Sequence, residues 1–259
     1  MSRHIREDGM SNAVLVTGGA KRIGRKVAER AAADGWNVVI HYRSSGDEAD
    51  SLAHDLRRHG IHAATVAGDL SDPAAAESIV PAAAEALGQP LTALVNSASI
   101  FEWDDISTIS AEAFTRHMMP NALAPVLLTK HLLAGLPEGM AGCVVNILDQ
   151  KLAAPYGDHL AYTLSKFALQ GATETLARSC APRLRVNAVA PGYTLPAPGQ
   201  SQADYERLHS QTPLGHGPTA EEVAGAVCYL LQSGSITGQT IYVDAGMRFS
   251  HRQRDVYFD

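Results

Sequence analysis

The chain has 259 residues, 46% of them hydrophobic and 19% charged, with a formal net charge of -6. This is an ordinary globular composition. Its mild acidity argues against a dedicated nucleic-acid binder, and no apolar run approaches the ~20 residues that cross a bilayer.

Residues 1–12 are polar, lack an apolar core segment and read as a flexible arm rather than a signal peptide. Residues 13–16 are apolar and β-branched, as in a strand buried on both faces. A glycine-containing turn follows, with Gly18, Lys21, Arg22, Ile23 and Gly24, and then an alanine-rich helix that Gly35 stops. Strands are expected over residues 37–42 and 62–66, helices over residues 47–58 and 73–87, and a fourth strand over residues 91–95. After a loop over residues 96–105, a long helical stretch with one break runs to residue 136. Residues 143–148 form a fifth strand, and a helix carrying Tyr162 and Lys166 runs to residue 181. A sixth strand over residues 184–190 leads into a loop-rich stretch with a short helix over residues 203–209. A helix over residues 219–231, with Glu221 and Glu222 favoured at its positive end, precedes a last strand over residues 240–243 and a polar tail over residues 250–259.

Strands alternating with helices imply right-handed βαβ units. The expected architecture is α/β, a doubly wound parallel seven-stranded sheet of Rossmann type with helices on both faces. With no internal repeat or linker, residues 1–259 read as a single dinucleotide-binding domain. The cysteines Cys143, Cys180 and Cys228 are far apart and lack CxxC spacing, so they read as reduced thiols of a cytoplasmic protein. The eleven histidines show no metal-binding spacing, and no metal is expected.

Tyr162 and Lys166 stand four apart, on one face of a helix. An ammonium there favours the tyrosinate and lowers the phenol from its free value of about 10. Asp149 lies upstream at the end of a strand. The turn after the first strand is where open α/β sheets bind phosphates. Lys21 and Arg22 are cations near a helix N-terminus, which is unfavourable unless an anion is present. Tyr42, Arg43, Ser44 and Ser45 end the second strand with no acid for a ribose hydroxyl, and Arg43 with the serines suits a 2′-phosphate. The expected cofactor is therefore NADPH; the bland alternatives are an incidental turn and a solvated loop.

These residues, in this order, resemble the short-chain dehydrogenase/reductase family over about residues 12–247. The matching pieces also include Asp69 with Leu70, Asn96 with Ala98, Asn121, and Pro191 with Gly192. The resemblance implies hydride transfer between a nicotinamide and a carbonyl or imine-like carbon. It casts Tyr162 as proton donor, Lys166 as its partner and ribose ligand, and Asn121 as support for a relay water. It also implies a homotetramer, with which a small face of Ala168, Ala172 and Ala177 is compatible.

Three departures narrow the resemblance. Arg22 stands where most members have glycine, Asp149 where most have a serine, and Ser97 where most have a second asparagine. Arg22, the Asp149–Tyr162–Lys166 set and the Ser99–Ile100–Phe101 segment look like the pteridine reductases and bacterial dihydromonapterin or dihydrofolate reductases. A carboxyl can accept from a pterin's N–H groups or, when protonated, donate to its ring nitrogens. An aromatic ring such as Phe101 suits a flat heterocycle. Asp149, Tyr162, Phe101 and Arg22 are thus the expected substrate contacts. The bland readings are a capping acid for Asp149, loop packing for Phe101 and a phosphate contact for Arg22. Generic carbonyl reduction and a non-catalytic NADP-binding regulator are the alternative functions. His159, three residues before Tyr162, reads as a solvent-facing loop residue, with substrate contact as the alternative, and Glu102, Asp104 and Asp105 around Trp103 read as solvated, with recognition of a cationic group as the alternative.

Overall fold

A computed structural model of the chain describes residues 12–197, 199–250 and 254–255. Nearly all of the arm expected over residues 1–12, and most of the tail expected over residues 250–259, lie outside the described residues. The strands are β1 (Ala13–Thr17), β2 (Asn37–Tyr42), β3 (Ala63–Ala67), β4 (Ala93–Asn96), β5 (Gly142–Ile147), β6 (Leu184–Pro191) and β7 (Thr240–Val243). They form one sheet in the order β3-β2-β1-β4-β5-β6-β7. All six neighbouring pairs are parallel. The central strands β1, β4 and β5 are buried at every position, which explains why they read as unbroken apolar runs rather than as alternation.

The helices are α1 (Arg22–Ala33), α2 (Gly46–Leu56), α3 (Pro73–Leu87), α4 (Ala111–Met118), α5 (Ala124–Gly135), α6 (Leu160–Ser179), α7 (Gln202–His209) and α8 (Ala220–Gln232). On one face of the sheet, α1, α2 and α8 bury Val27, Ala28, Leu52, Val223 and Val227. On the other, α3, α5 and α6 bury Ile79, Val80, Leu128, Leu132 and Ala177. No helix among the described residues is long and apolar enough to cross a membrane. The expected break in the long helical stretch is a π-turn, Met119–Leu123, between α4 and α5. One extra residue in the turn buries Asn121 rather than ending the helix.

The sheet order reverses beside β1, so α1 and α5 leave on opposite faces and a crevice opens at the strands' C-terminal ends. A buried polar line stiffens that rim. Asn96 Nδ2 donates to Asn146 Oδ1 at 2.8 Å, and Asn146 Nδ2 donates to Thr173 Oγ1 of α6 at 2.9 Å. Thr17 Oγ1 accepts from the amides of Ser97 and Ala98 at 2.9 and 3.1 Å, which fixes the loop after β4 to β1.

Asn146→Ala leaves Asn96 Nδ2 without its acceptor in the buried rim, while Thr173 keeps its bond to Leu169 O. The expected loss is ~1–3 kcal/mol, read as a drop of about 2–4 °C in thermal midpoint per kcal/mol for a chain of this size.

Candidate active site

A cavity of about 780 Å³ fills the crevice. Of the residues expected to bind cofactor or substrate, it is lined by Gly18, Lys21, Arg22, Ile23 and Gly24 from the first turn, and by Tyr42, Arg43, Ser44 and Ser45 after β2. Asp69 and Leu70 after β3 and Ser97, Ala98, Ser99 and Phe101 after β4 continue the wall. Asp149, Tyr162, Lys166, Pro191 and Gly192 complete it.

Asn96 and Asn121 stand behind this wall instead of in it. Asn121 Oδ1 accepts from the Ile100 amide at 2.8 Å and from Ser99 Oγ at 3.2 Å. Its Nδ2 donates to Ile100 O at 2.9 Å and to Ser165 Oγ at 3.0 Å. These contacts make Asn121 a clamp between the Ser99–Phe101 loop and α6, where a relay-water support was expected. Asn96, expected to touch cofactor, is held in the rim by Asn146.

The first turn is built for close approach. Gly18 sits at φ +61°, and a Cβ there would come within 3.0 Å of the Ala98 backbone. A Cβ on Gly24 would lie 2.3 Å from Gly18 O. Lys21 caps α1 with no side-chain hydrogen bond, and no acid occupies the first turn. The exposed N-terminal amides and the tight backbone cradle fit a dinucleotide's pyrophosphate. The charge argument needs one correction. Lys21 is paired at the surface with Glu48 at 2.6 Å and does not wait for an anion. Arg22 occupies the left-handed region at φ +53°, the conformation that favours glycine. Its Nη1 donates to Pro196 O at 3.1 Å, so its side chain bridges the first turn to the loop after β6.

His41 beneath this turn was not singled out from the sequence. Gly18 N donates to its Nδ1 at 3.2 Å, and its Nε2 faces Gly68 O at 3.1 Å. One nitrogen must accept and the other donate, which describes the neutral ring. Burial pushes His41 down to about 4, against opposing contributions from Gly68 O and Asp69.

At the other end of the cavity, Tyr162 Oη donates to Asp149 Oδ2 at 2.8 Å. Asp149 Oδ1 accepts from the Lys151 amide at 2.8 Å, capping the short 3-10 turn Gln150–Leu152. Asp149 therefore both caps a turn and faces Tyr162. Lys166 lies on the same face of α6 as Tyr162, but its Nζ donates to Ile147 O at 2.8 Å and stands 5.6 Å from the Tyr162 ring centroid. The expectation that Lys166 lowers the Tyr162 phenol is overturned. Burial, then the Asp149 charge and hydrogen bond, push Tyr162 well above its ordinary value. Burial likewise raises Asp149, with the Lys151 and Tyr162 hydrogen bonds opposing. Lys166 is lowered to about 8 by burial, with the Asp149 charge opposing.

Phe101 is 52% exposed at the mouth, stacked on His159 at 4.0 Å and edge-on to Tyr162 at 4.7 Å. His159 is a buried wall residue rather than a solvent-facing one, in the left-handed region at φ +48° with Nδ1 on Glu102 O at 2.9 Å. Asp104 is buried too: its carboxylate accepts from the Ala161 amide at 3.1 and 3.2 Å, giving α6 the cap that His159 does not supply. Glu102 pairs with Arg116 at 2.8 Å, and Asp105 accepts from Ser107 and Thr108 within its own turn. Lys151, Asp158 and Asp255 were also missed. Lys151 and Asp158 pair within one loop, but the contact that adds Asp255 spans 97 residues, so no local pattern marks it.

Residues 18–248 match a family model described as enoyl-(acyl carrier protein) reductase. An uncharacterised oxidoreductase of Methylorubrum extorquens is 32% identical over 242 residues, which cover 90% of this chain and 96% of that one. Among solved structures, FolM alternative dihydrofolate reductase 1 from Brucella canis, complexed with NADP, is 39% identical at TM-score 0.87 and covers 93% of this chain and 95% of that one. The angucycline C-6 ketoreductase LanV with bound NADP is 28% identical at TM-score 0.84, covering 92% and 96%.

His41 is held neutral in the fold, whereas in the unfolded chain it takes a proton near 6.5. Its folded value is depressed, so the contribution to stability is intact above about pH 6.5 and is lost as pH falls towards 4. The expected loss over that window is about 3 kcal/mol. Denaturant unfolding at successive pH values measures it, and His41→Asn removes that part of the slope.

Proposed function

The chain belongs to the short-chain dehydrogenase/reductase family, and on that premise we propose that it is an NADPH-dependent reductase of C=N bonds in a pterin or dihydrofolate-like ring. The observation that carries this reading is the 2.8 Å contact between Tyr162 Oη and Asp149 Oδ2 beside the exposed ring of Phe101. An ionised carboxylate beside a ketone oxygen is repulsive. Beside a pterin it accepts from ring N–H groups, and in its acid form it donates to a ring nitrogen. Burial raises the Asp149 carboxyl above its ordinary value, in the direction of that acid form, while the hydrogen bonds from Lys151 N and Tyr162 oppose it. The Phe101 ring, braced by His159, offers a flat platform for a heterocycle.

When bound, reduced nicotinamide supplies the hydride to the ring carbon. Tyr162 delivers its phenol proton to the adjoining nitrogen, and Asp149 replaces it through their shared hydrogen bond. Lys166, anchored on Ile147 O, faces the reacting end of the cavity as the cation that suits a nicotinamide ribose. Arg43 with Ser44 and Ser45 suits the 2′-phosphate. The similarity to the NADP-complexed FolM protein of Brucella canis supports both halves of the proposal. The same proposal includes a cytoplasmic homotetramer. Phe114, Leu123, Leu164 and Phe167, on and between α4 and α6, are exposed apolar side chains available for contact with further copies. Of the small face considered from sequence, Ala177 is instead buried in the chain's own core.

The purified protein is expected to oxidise NADPH in preference to NADH with dihydrobiopterin, dihydromonapterin or dihydrofolate, followed by loss of reduced-nicotinamide absorbance. Tyr162→Phe is expected to lower kcat/KM on the order of 10²–10⁴-fold. Turnover on aliphatic or aromatic ketones alone overturns the pterin reading, and NADPH binding without turnover on any of these points to a regulator. Light scattering is expected to return four times the chain mass; a monomer rejects the assembly.

A further inference from the structure

Three strand ends meet at one imidazole beneath the cofactor turn. His41, in β2, is 2% exposed and borders the cavity. Gly18 N donates to its Nδ1 at 3.2 Å. Gly68 O, just past β3, can only accept, so Nε2 carries the ring proton and donates to it at 3.1 Å. The main chain adds to this: Gly19 N donates to His41 O at 3.0 Å, and Gly68 N donates to Tyr42 O at 3.0 Å. Both peptide planes that flank Gly18 are therefore held by His41, one through the ring and one through the backbone. Such restraint is needed there. Gly18 sits at φ +61° and has no side chain to pack, and glycine has the widest backbone freedom of any residue. Its carbonyl lies against the first turn of α1, where a Cβ on Gly24 would clash with it.

We propose that His41 is a positioning residue for the dinucleotide: by accepting from Gly18 N, its Nδ1 holds the turn in the shape that presents the α1 amides to pyrophosphate. The Gly68 contact has a separate part. It fixes the proton on Nε2, which leaves the Nδ1 lone pair for Gly18. Without that acceptor the Gly18 N–H loses its partner, and the peptide before Gly18 is free to rotate towards another. The path of the chain into α1 changes with it. Loss of the Gly68 contact alone leaves the acceptor in place. A ring that merely stiffened the sheet would instead make the two contacts interchangeable, because each joins one neighbouring strand end to β2. The proposal concerns the cofactor half of the crevice and uses neither Asp149 nor Tyr162, so it does not depend on which ring is reduced.

Two variants of the full chain separate the contacts, and no measurement needs substrate. In His41→Asn, Oδ1 takes the position of Nδ1 and the side chain stops short of Gly68 O. In His41→Gln, the longer side chain reaches Gly68 O and offers nothing at the position of Nδ1. Each keeps one hydrogen bond and loses the other, so both are expected to unfold at a lower temperature than the native chain. The dissociation constant of NADPH is read from nicotinamide fluorescence, and exchange of the Gly18 amide is read by NMR in the free protein. His41→Asn is expected to bind NADPH within about threefold of the native chain and His41→Gln about tenfold more weakly, the scale of one hydrogen bond. Gly18 exchange is expected to quicken in His41→Gln alone. Equal weakening in the two variants, weakening in His41→Asn alone, or native affinity in His41→Gln overturns the proposal. Should a variant not fold, the 15N shifts of His41 in the native chain decide: Nδ1 is expected to stay unprotonated and hydrogen-bonded when NADPH binds. A proton on Nδ1 in that complex overturns the proposal.

Discussion

The site depends on how one carboxylate divides its two oxygens. Asp149 gives Oδ1 to the Lys151 amide and Oδ2 to the Tyr162 phenol, each at 2.8 Å. The first contact sets the path of the chain leaving β5, and the second ties that path to α6. Lys166 makes the return connection to Ile147 O, also at 2.8 Å. Two short bonds thus fasten the end of one strand to one helix face, and the proton-bearing groups are held by the same bonds that shape the wall. Preorganisation of this kind lets a static scaffold serve proton transfer without reorganising.

Backbone strain is gathered around the same cavity. The non-glycine residues at positive φ among those described are Arg22, His159 and Ala245. Arg22 and His159 line the cavity, while Ala245 lies two residues before Met247, which lines it too. Such conformations cost of order 1–3 kcal/mol each and persist only where surrounding contacts over-determine them. The contacts are visible. Arg22 is tied to Pro196 O, His159 is held between Glu102 O and the Phe101 ring, and Asp244 accepts from the amides of Gly246 and Arg248 around Ala245. Capping follows the same logic at α6. With His159 turned away, the helix takes its cap from Asp104, far off in sequence, so the mouth loop and the Tyr162 helix are positioned together.

The sheet and the cavity wall were legible in the sequence because each rests on short-range signals. Apolar runs such as residues 13–16 and 143–148 mark strands buried on both faces, and Gly18 and Gly24 mark a turn where the backbone must pass closely. Tyr162 and Lys166 declare themselves by helical spacing. What escaped depends on distance in sequence. Asp104 and Ala161 are 57 residues apart, and Asp158 and Asp255 are 97 apart, so nothing local announces either contact. Asn121 carried a familiar motif, but its direction could not be read from a string: a π-turn aims its side chain behind the wall. The phenol's response to Lys166 was misjudged for a related reason. Spacing placed the two on one face but did not reveal that the ammonium is engaged by Ile147 O and that Asp149 is the nearer charge.

The cavity is electrically divided, and the division follows from which loops build each end. The turns after β1 and β2 supply Lys21, Arg22 and Arg43, while the β5 loop and the tail supply Asp149 and Asp255. Lys21 is already neutralised by Glu48, so the cationic end is narrower than composition suggests and centres on Arg22 and Arg43. Lys166 sits between the two ends, buried and lowered to about 8, close enough to Asp149 for that charge to act on it. The phosphates of NADP therefore suit the cationic end, and like-charge repulsion disfavours placing them at the end that Asp149 and Asp255 supply.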